Sequence, residues 1–219
     1  MTSKTADRIC GVLVLLIAVA GIAAYPTLPD QVPFHWNAAG EVDGFSSRLT
    51  AVLFGPALAV FTWLLIRIIP SISPRGYRTD GFQDVLAILQ VAMVAFMVGL
   101  GTLILLSAKG VEISMERWMP IAVGLLFALI GNYLGKVRKN FFIGIRTPWT
   151  LASDEVWART HRLGGYLFVA CGIALIGCGA LGINSALFVG IPLIAAVTPV
   201  VYSYVAYRNL EGFDQDTSA

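Results

Sequence analysis

Charged side chains and cysteine are scarce in this chain, and each shortage excludes a class of protein. Only 13% of the 219 residues are Asp, Glu, Lys or Arg, against about 25% in an average soluble domain. The net charge of +2 is too small to indicate direct binding of nucleic acid. The cysteines, Cys10, Cys171 and Cys178, lack the spacing of a zinc or redox site. We therefore expect no cofactor and no metal.

Apolar residues make up 57% of the chain, and most of them fall in six long runs. A helix needs about 17–25 apolar residues to cross a hydrocarbon core of about 30 Å. The sequence therefore predicts an all-α fold, a polytopic membrane bundle of six transmembrane helices. The first run follows Lys4 and Arg8 and also resembles a signal peptide, which is the alternative for that segment. The runs lie near Ile9–Ala24, Ala51–Ile69, Val85–Ser107, Trp118–Leu134, Leu163–Ala180 and Ala186–Tyr207.

Lysine and arginine are unevenly divided when alternate loops are assigned to alternate sides of the membrane. One side has only Arg48, Lys109 and Arg117. Short loops rich in these residues stay in the cytoplasm. Both termini are therefore predicted inside, with the loops around 25–50 and 108–117 outside. The inner side holds Lys4, Arg8, Arg67, Arg75, Arg78, Lys136, Arg138, Lys139, Arg146, Arg159, Arg162 and Arg208.

The apolar runs carry almost no charge. Arg67 is close enough to a helix end to reach the interface, and no Asp, Glu, Lys or His lies deep in a run. Because intramembrane charge marks ion-coupled transport, its scarcity counts against a secondary transporter. His35 and His161 are predicted on opposite faces and cannot form one site, so we expect no enzyme.

The outer loop, residues 25–50, contains an unusual string of polar and aromatic residues. Its prolines disfavour both a helix and a central strand, and Asp43-Gly44 indicates a tight turn. The sharper interpretation is a ligand site formed by His35, Trp36, Asn37 and Asp43. The alternative is a structural cap whose aromatic rings lie at the membrane interface.

The inner loop, residues 136–162, is the second informative segment. Ser153 is a good N-cap, which predicts a short interfacial helix near 153–163 with Trp157, Thr160 and His161 on one side. His161 is either a pH-sensitive or partner-binding residue, or a residue that hydrogen-bonds loop backbone and fixes the helix to the bundle. The basic side chains of the loop could meet phospholipid head groups or a cytoplasmic protein.

These residues resemble a known family. The inner segment resembles the signature of the SdpI immunity family. The outer segment, with His35-Trp36-Asn37 and Asp43-Gly44, is similar to a membrane domain of unknown function that often precedes it. The resemblance implies a domain at 1–107 and an SdpI-like domain at 108–219. It is carried in the inner segment by Asn132, Asn140, Arg146, Thr147, Pro148, Trp149, Trp157, Thr160 and His161.

The resemblance implies a function. SdpI-like proteins are multi-pass proteins of the bacterial cell membrane that protect the producing cell from a secreted, membrane-active peptide toxin. In the founding system the protein also draws a small repressor to the membrane. The implied partners are thus an extracellular peptide toxin, a cytoplasmic repressor and the lipid bilayer, with no catalysis. A transporter or exporter of small molecules or peptides is the alternative.

Overall fold

The computed structural model describes residues 1–37, 39–75, 79–183 and 185–212, so Arg78 and the acidic tail residues Asp214 and Asp216 lie outside the described part. Within this described part, six helices are long and apolar enough to cross a membrane, which confirms the predicted bundle. A short additional helix, α5, precedes the fifth of them. The helices are α1 (Ser3–Ala24), α2 (Arg48–Ile72), α3 (Gln83–Ala108), α4 (Met115–Leu134), α5 (Pro148–Ala152), α6 (Asp154–Leu181) and α7 (Ser185–Leu210).

The long helices pack as two groups of three. Helices α1, α2 and α3 form the first group, and α4, α6 and α7 form the second. Glycines bring the backbones together: a Cβ built on Gly131 would lie 2.7 Å from the carbonyl oxygen of Gly165 on α6. Gly55 of α2 and Gly101 of α3 approach each other in the same way. Such close approach supplies packing contacts between helices in a membrane.

The outer loop contains a two-stranded antiparallel hairpin that was not predicted. Strand β1 is Gln31–Trp36 and strand β2 is Val42–Ser47. Pro33 is tolerated in β1 because both strands of a two-stranded sheet are edge strands. Val32 is fully buried in a cluster with residues of α1, α2 and α3, so the hairpin is fixed to the first group of helices.

The short interfacial helix expected near 153–163 is not a separate element. Ser153 does cap a helix, since its side chain accepts the backbone N–H of Val156. That helix, α6, continues without interruption to Leu181. Gly164 and Gly165 do not end α6. They lie where α6 packs closely on its neighbours, and Gly165 meets the backbone of α4 at Gly131.

The two ends of the bundle carry different loops. At one end, the hairpin tip at Gly40 lies against the start of α4 at Glu116. At the other end, the turn before α3 lies against the inner loop, with Gly81 next to Arg138. Each predicted side of the membrane therefore corresponds to one end of the bundle.

Candidate functional site

Asn140 organises the start of the inner loop. Its side chain is fully buried. The amide nitrogen donates to the carbonyl oxygens of Arg138 and Ile143, each at 2.9 Å. The amide oxygen accepts the backbone N–H groups of Phe142 and Ile143, each at 2.8 Å. This geometry uses both donors and both acceptors of an asparagine amide, so the residue closes the loop on itself.

Thr147 and Pro148 begin helix α5. Thr147 is the N-cap, and its hydroxyl and that of Thr150 form a reciprocal capping box. Pro148 occupies the first helical turn, where its missing N–H costs nothing. The Thr147 hydroxyl also lies 3.0 Å from the Ser203 hydroxyl. The loop is thereby attached to α7 as well as to its own helix.

Trp157 and His161, both on α6, hold the inner loop against that helix. Their rings stack with centroids 3.9 Å apart, and Trp157 Nε1 donates to the carbonyl of Val137 at 2.8 Å. His161 Nε2 accepts the backbone N–H of Ile145 at 3.0 Å, while Nδ1 lies 2.8 Å from the Trp157 carbonyl. A nitrogen that accepts carries no proton, so the geometry requires the neutral tautomer with its proton on Nδ1.

Gly144 leaves room for the histidine. Its φ of +111° lies in the region that favours glycine. A Cβ built there would collide with His161 Nε2. The missing Cβ of Gly144 therefore allows the His161 ring to reach the backbone N–H of Ile145.

The other residues of the inner motif differ in exposure. Trp149 meets the Tyr204 ring edge-on at 5.1 Å. Thr160 is fully buried, whereas Asn132, Arg146 and Pro148 are exposed. Most of the motif therefore builds the loop, and Arg146 is the charged member that reaches the surface.

The outer hairpin separates the predicted ligand residues. His35 Nδ1 pairs with Asp43 Oδ1 at 2.5 Å, and both side chains are exposed. Asn37 forms the turn: its oxygen accepts the N–H groups of Ala39 and Glu41. Among the described residues, no group of three or more His, Cys, Asp or Glu side chains could hold a metal ion.

Trp36 and Asn37 line a cavity of about 470 Å³ at the outer end of the bundle. We call it the outer pocket. Its other walls come from the second group of helices, so it lies where the hairpin meets that group. The side chains there are mainly apolar, including Met115, Met119 and Phe188. His35 and Asp43 do not line it.

The sequence analysis did not predict a polar cluster at the inner end of the first helix group. Asp7 accepts hydrogen bonds from Trp63 Nε1 at 2.9 Å, Gln90 Nε2 at 3.0 Å and Arg67 Nε at 3.0 Å. It thereby links α1, α2 and α3. The available signal was an aspartate in the first turns of α1 and an arginine near the inner end of α2, both predicted on the same side.

These features define a multi-pass helical membrane protein with an outer pocket and a closely folded inner loop. Residues 136–203 match the SdpI/YfhL protein family, and residues 12–60 match a domain of unknown function, DUF1648. The chain is also 25% identical to the immunity protein SdpI of Bacillus subtilis over 203 residues, which is 92% of this chain and 95% of that protein. No solved structure matches. The chain is therefore similar to the SdpI/YfhL family over its inner loop and the following helices, and a DUF1648 segment precedes that region.

Proposed function

We propose that this chain is an immunity protein of the bacterial cell membrane. It protects the cell that carries it by binding a secreted, membrane-active peptide in the outer pocket, without catalysis. The similarity to SdpI supports the role, and the outer pocket is the observation that carries the binding site. Its apolar walls suit a peptide that partitions into membranes.

The size of the pocket limits how much of a peptide it takes. One turn of helix with its side chains is about 5.4 Å high and 10–12 Å wide, or roughly 400–600 Å³. The cavity of about 470 Å³ therefore fits about one turn. We infer that the peptide is held by one end or one turn, while the rest of it stays in the lipid or at the surface.

The test is survival of a sensitive bacterium that expresses the chain and is challenged with a secreted peptide toxin. Expression should raise survival, and Trp36→Ala should reduce the protection because it removes a wall of the pocket. His35→Ala is the matched comparison, since the side chain of this neighbour is exposed and does not line the pocket. Membrane insertion of each variant is checked by fractionation.

Two outcomes would contradict this proposal. One is unchanged survival with properly inserted protein against a panel of such peptides. The other is a Trp36→Ala variant that protects as well as the native chain. Uptake or efflux by proteoliposomes would instead favour the transporter alternative.

A second candidate role is recruitment of a cytoplasmic repressor by the inner loop. The favouring observation is that three basic side chains of the inner loop and the start of α6 are exposed: Arg138, Arg146 and Arg162. A pull-down with the full-length protein should lose the repressor in Arg146→Ala. Binding that is unaffected by this change would leave the loop with a structural role.

A further inference from the structure

A second cavity, of about 580 Å³, opens between α3 and α4. We call it the seam groove, because it lies between the two groups of helices. Ala95, Gly99 and Thr102 line it from α3, and Trp118, Ala122 and Leu125 line it from α4. Packing between α3 and α4 is far less extensive than that between α2 and α3 or between α4 and α6.

The side of the seam groove that α3 forms is unfilled. A Cβ built on Gly99 would meet nothing within 4 Å, whereas a Cβ on Gly101 would lie 2.7 Å from the Gly55 Cα. Gly99 and Gly101 are two residues apart and therefore lie on roughly opposite sides of α3, one of which is packed and the other unfilled. Leu125, on the opposite wall, is 59% exposed. Empty apolar space of this size forfeits dispersion contacts, so an occupant would be stabilising.

The lining requires an apolar occupant. Thr102 is the hydroxyl residue of the groove, and its Oγ1 donates to the Val98 carbonyl at 2.8 Å. Its donor is therefore satisfied within the helix. A polar ligand would lose its hydration in this groove, where the indole N–H of Trp118 at the outer end is the one other hydrogen-bonding group among the lining side chains.

The length and the volume of the seam groove limit what can occupy it. The lining runs from Ala92 to Leu103 on α3 and from Trp118 to Leu129 on α4, which is roughly 16 Å at about 1.5 Å per residue. One leaflet is about 15 Å thick. A helix of that length and 10–12 Å diameter would need roughly 1,300–1,800 Å³, two to three times the space present. Trp118 lies at the outer end, where tryptophan favours the head-group level.

We propose that the seam groove binds one acyl chain of a phospholipid in the outer leaflet. The chain fills the space between the two helix groups, and its head group lies near Trp118. The lipid is then a bound component of the protein rather than part of the surrounding bilayer.

The experiment measures the lipid that stays with the full-length protein. The protein is extracted, washed with an excess of lipid-free detergent, and assayed for phospholipid by phosphate content and mass spectrometry. The native chain should retain phospholipid. Gly99→Leu should lose it, because the new side chain occupies the groove. Gly177→Leu is the matched control, since Gly177 lies on another helix and also faces open space.

Ala122→Leu fills the same groove from α4 and guards against misfolding of the first variant. The proposal is overturned if the native chain retains no phospholipid, or if both groove-filling variants retain as much as it does. A dimer that either variant dissociates would also overturn it, because a second copy would then occupy the groove. Loss of lipid in both variants, with retention in Gly177→Leu, supports it.

Discussion

Replacing His161 by alanine should open the inner loop. The variant removes the acceptor of the Ile145 N–H and the ring that stacks on Trp157. Because His161 is 1% exposed, water does not readily replace the lost acceptor. The loop segment around Gly144 and Ile145 should therefore separate from α6 more often.

The magnitude follows from the two lost interactions. A buried donor left without a partner costs about 1–3 kcal/mol. A stacked ring pair contributes about 0.5–1.5 kcal/mol beyond area burial. The free energy of loop opening should thus fall by about 1.5–4.5 kcal/mol. Since 1.4 kcal/mol is a factor of ten, exchange of the loop amides should accelerate by roughly 10- to 1,600-fold.

Hydrogen–deuterium exchange with mass spectrometry on the protein in lipid nanodiscs measures this directly. A peptide covering residues 140–147 should lose protection in His161→Ala. Arg162→Ala is the control, because this exposed neighbour should leave the same peptide unchanged. Equal exchange in the native chain and in His161→Ala would refute the reasoning.

Gly144→Ala supplies a second arm of the same test. Alone, it should also open the loop, because its φ is positive and its Cβ meets His161. In the His161→Ala background the same change should cost less than in the native chain, since the collision is gone and only the backbone strain of about 1–3 kcal/mol remains. Additive effects would show that the two residues do not interact.

Three further predictions concern stability, each measured as the midpoint of thermal unfolding in detergent. Asn140→Asp should destabilise by about 2–4 kcal/mol, because two backbone carbonyls would face a carboxylate instead of an amide donor; an unchanged midpoint would contradict the amide geometry. Gly131→Leu should cost about 3 kcal/mol by overpacking α4 against α6, whereas Gly177→Leu should be neutral, and equal effects would contradict the close approach. Asp7→Ala should cost about 2 kcal/mol by leaving its part-buried donors unpaired, and a neutral result would show that the cluster contributes nothing.

The sequence predicted the helices well because membrane crossing is a local requirement. Each run had to be long and apolar, and α1 to α4 include the predicted spans. The N-cap at Ser153 was also predictable, since a short hydroxyl side chain before two acidic residues is a local signal. The end of that helix was not, because Gly164-Gly165 can bend a helix or pack it closely. Close packing against Gly131 decides between these two outcomes, and Gly131 lies on another helix, α4.

Tertiary features could not be derived from the sequence in the same way. The chain order does not show that Asn140 would bond four backbone groups, or that Gly144 would make room for His161. The outer pocket combines the hairpin with three later helices, so no single segment carries its pattern. The ligand role of His35 and Asp43 stays a prediction. Their mutual contact outside the pocket makes Trp36 and Asn37 the better candidates.

Labelling of single cysteines from each side of the membrane tests the central claim most directly. Phe45 on the hairpin is 62% exposed and Arg146 on the inner loop is exposed, whereas Thr147 is too buried to report. In intact cells, a membrane-impermeant thiol reagent should label Phe45→Cys and leave Arg146→Cys unlabelled until the cells are opened. Labelling of both positions from one side would contradict an outer pocket and a cytoplasmic signature loop.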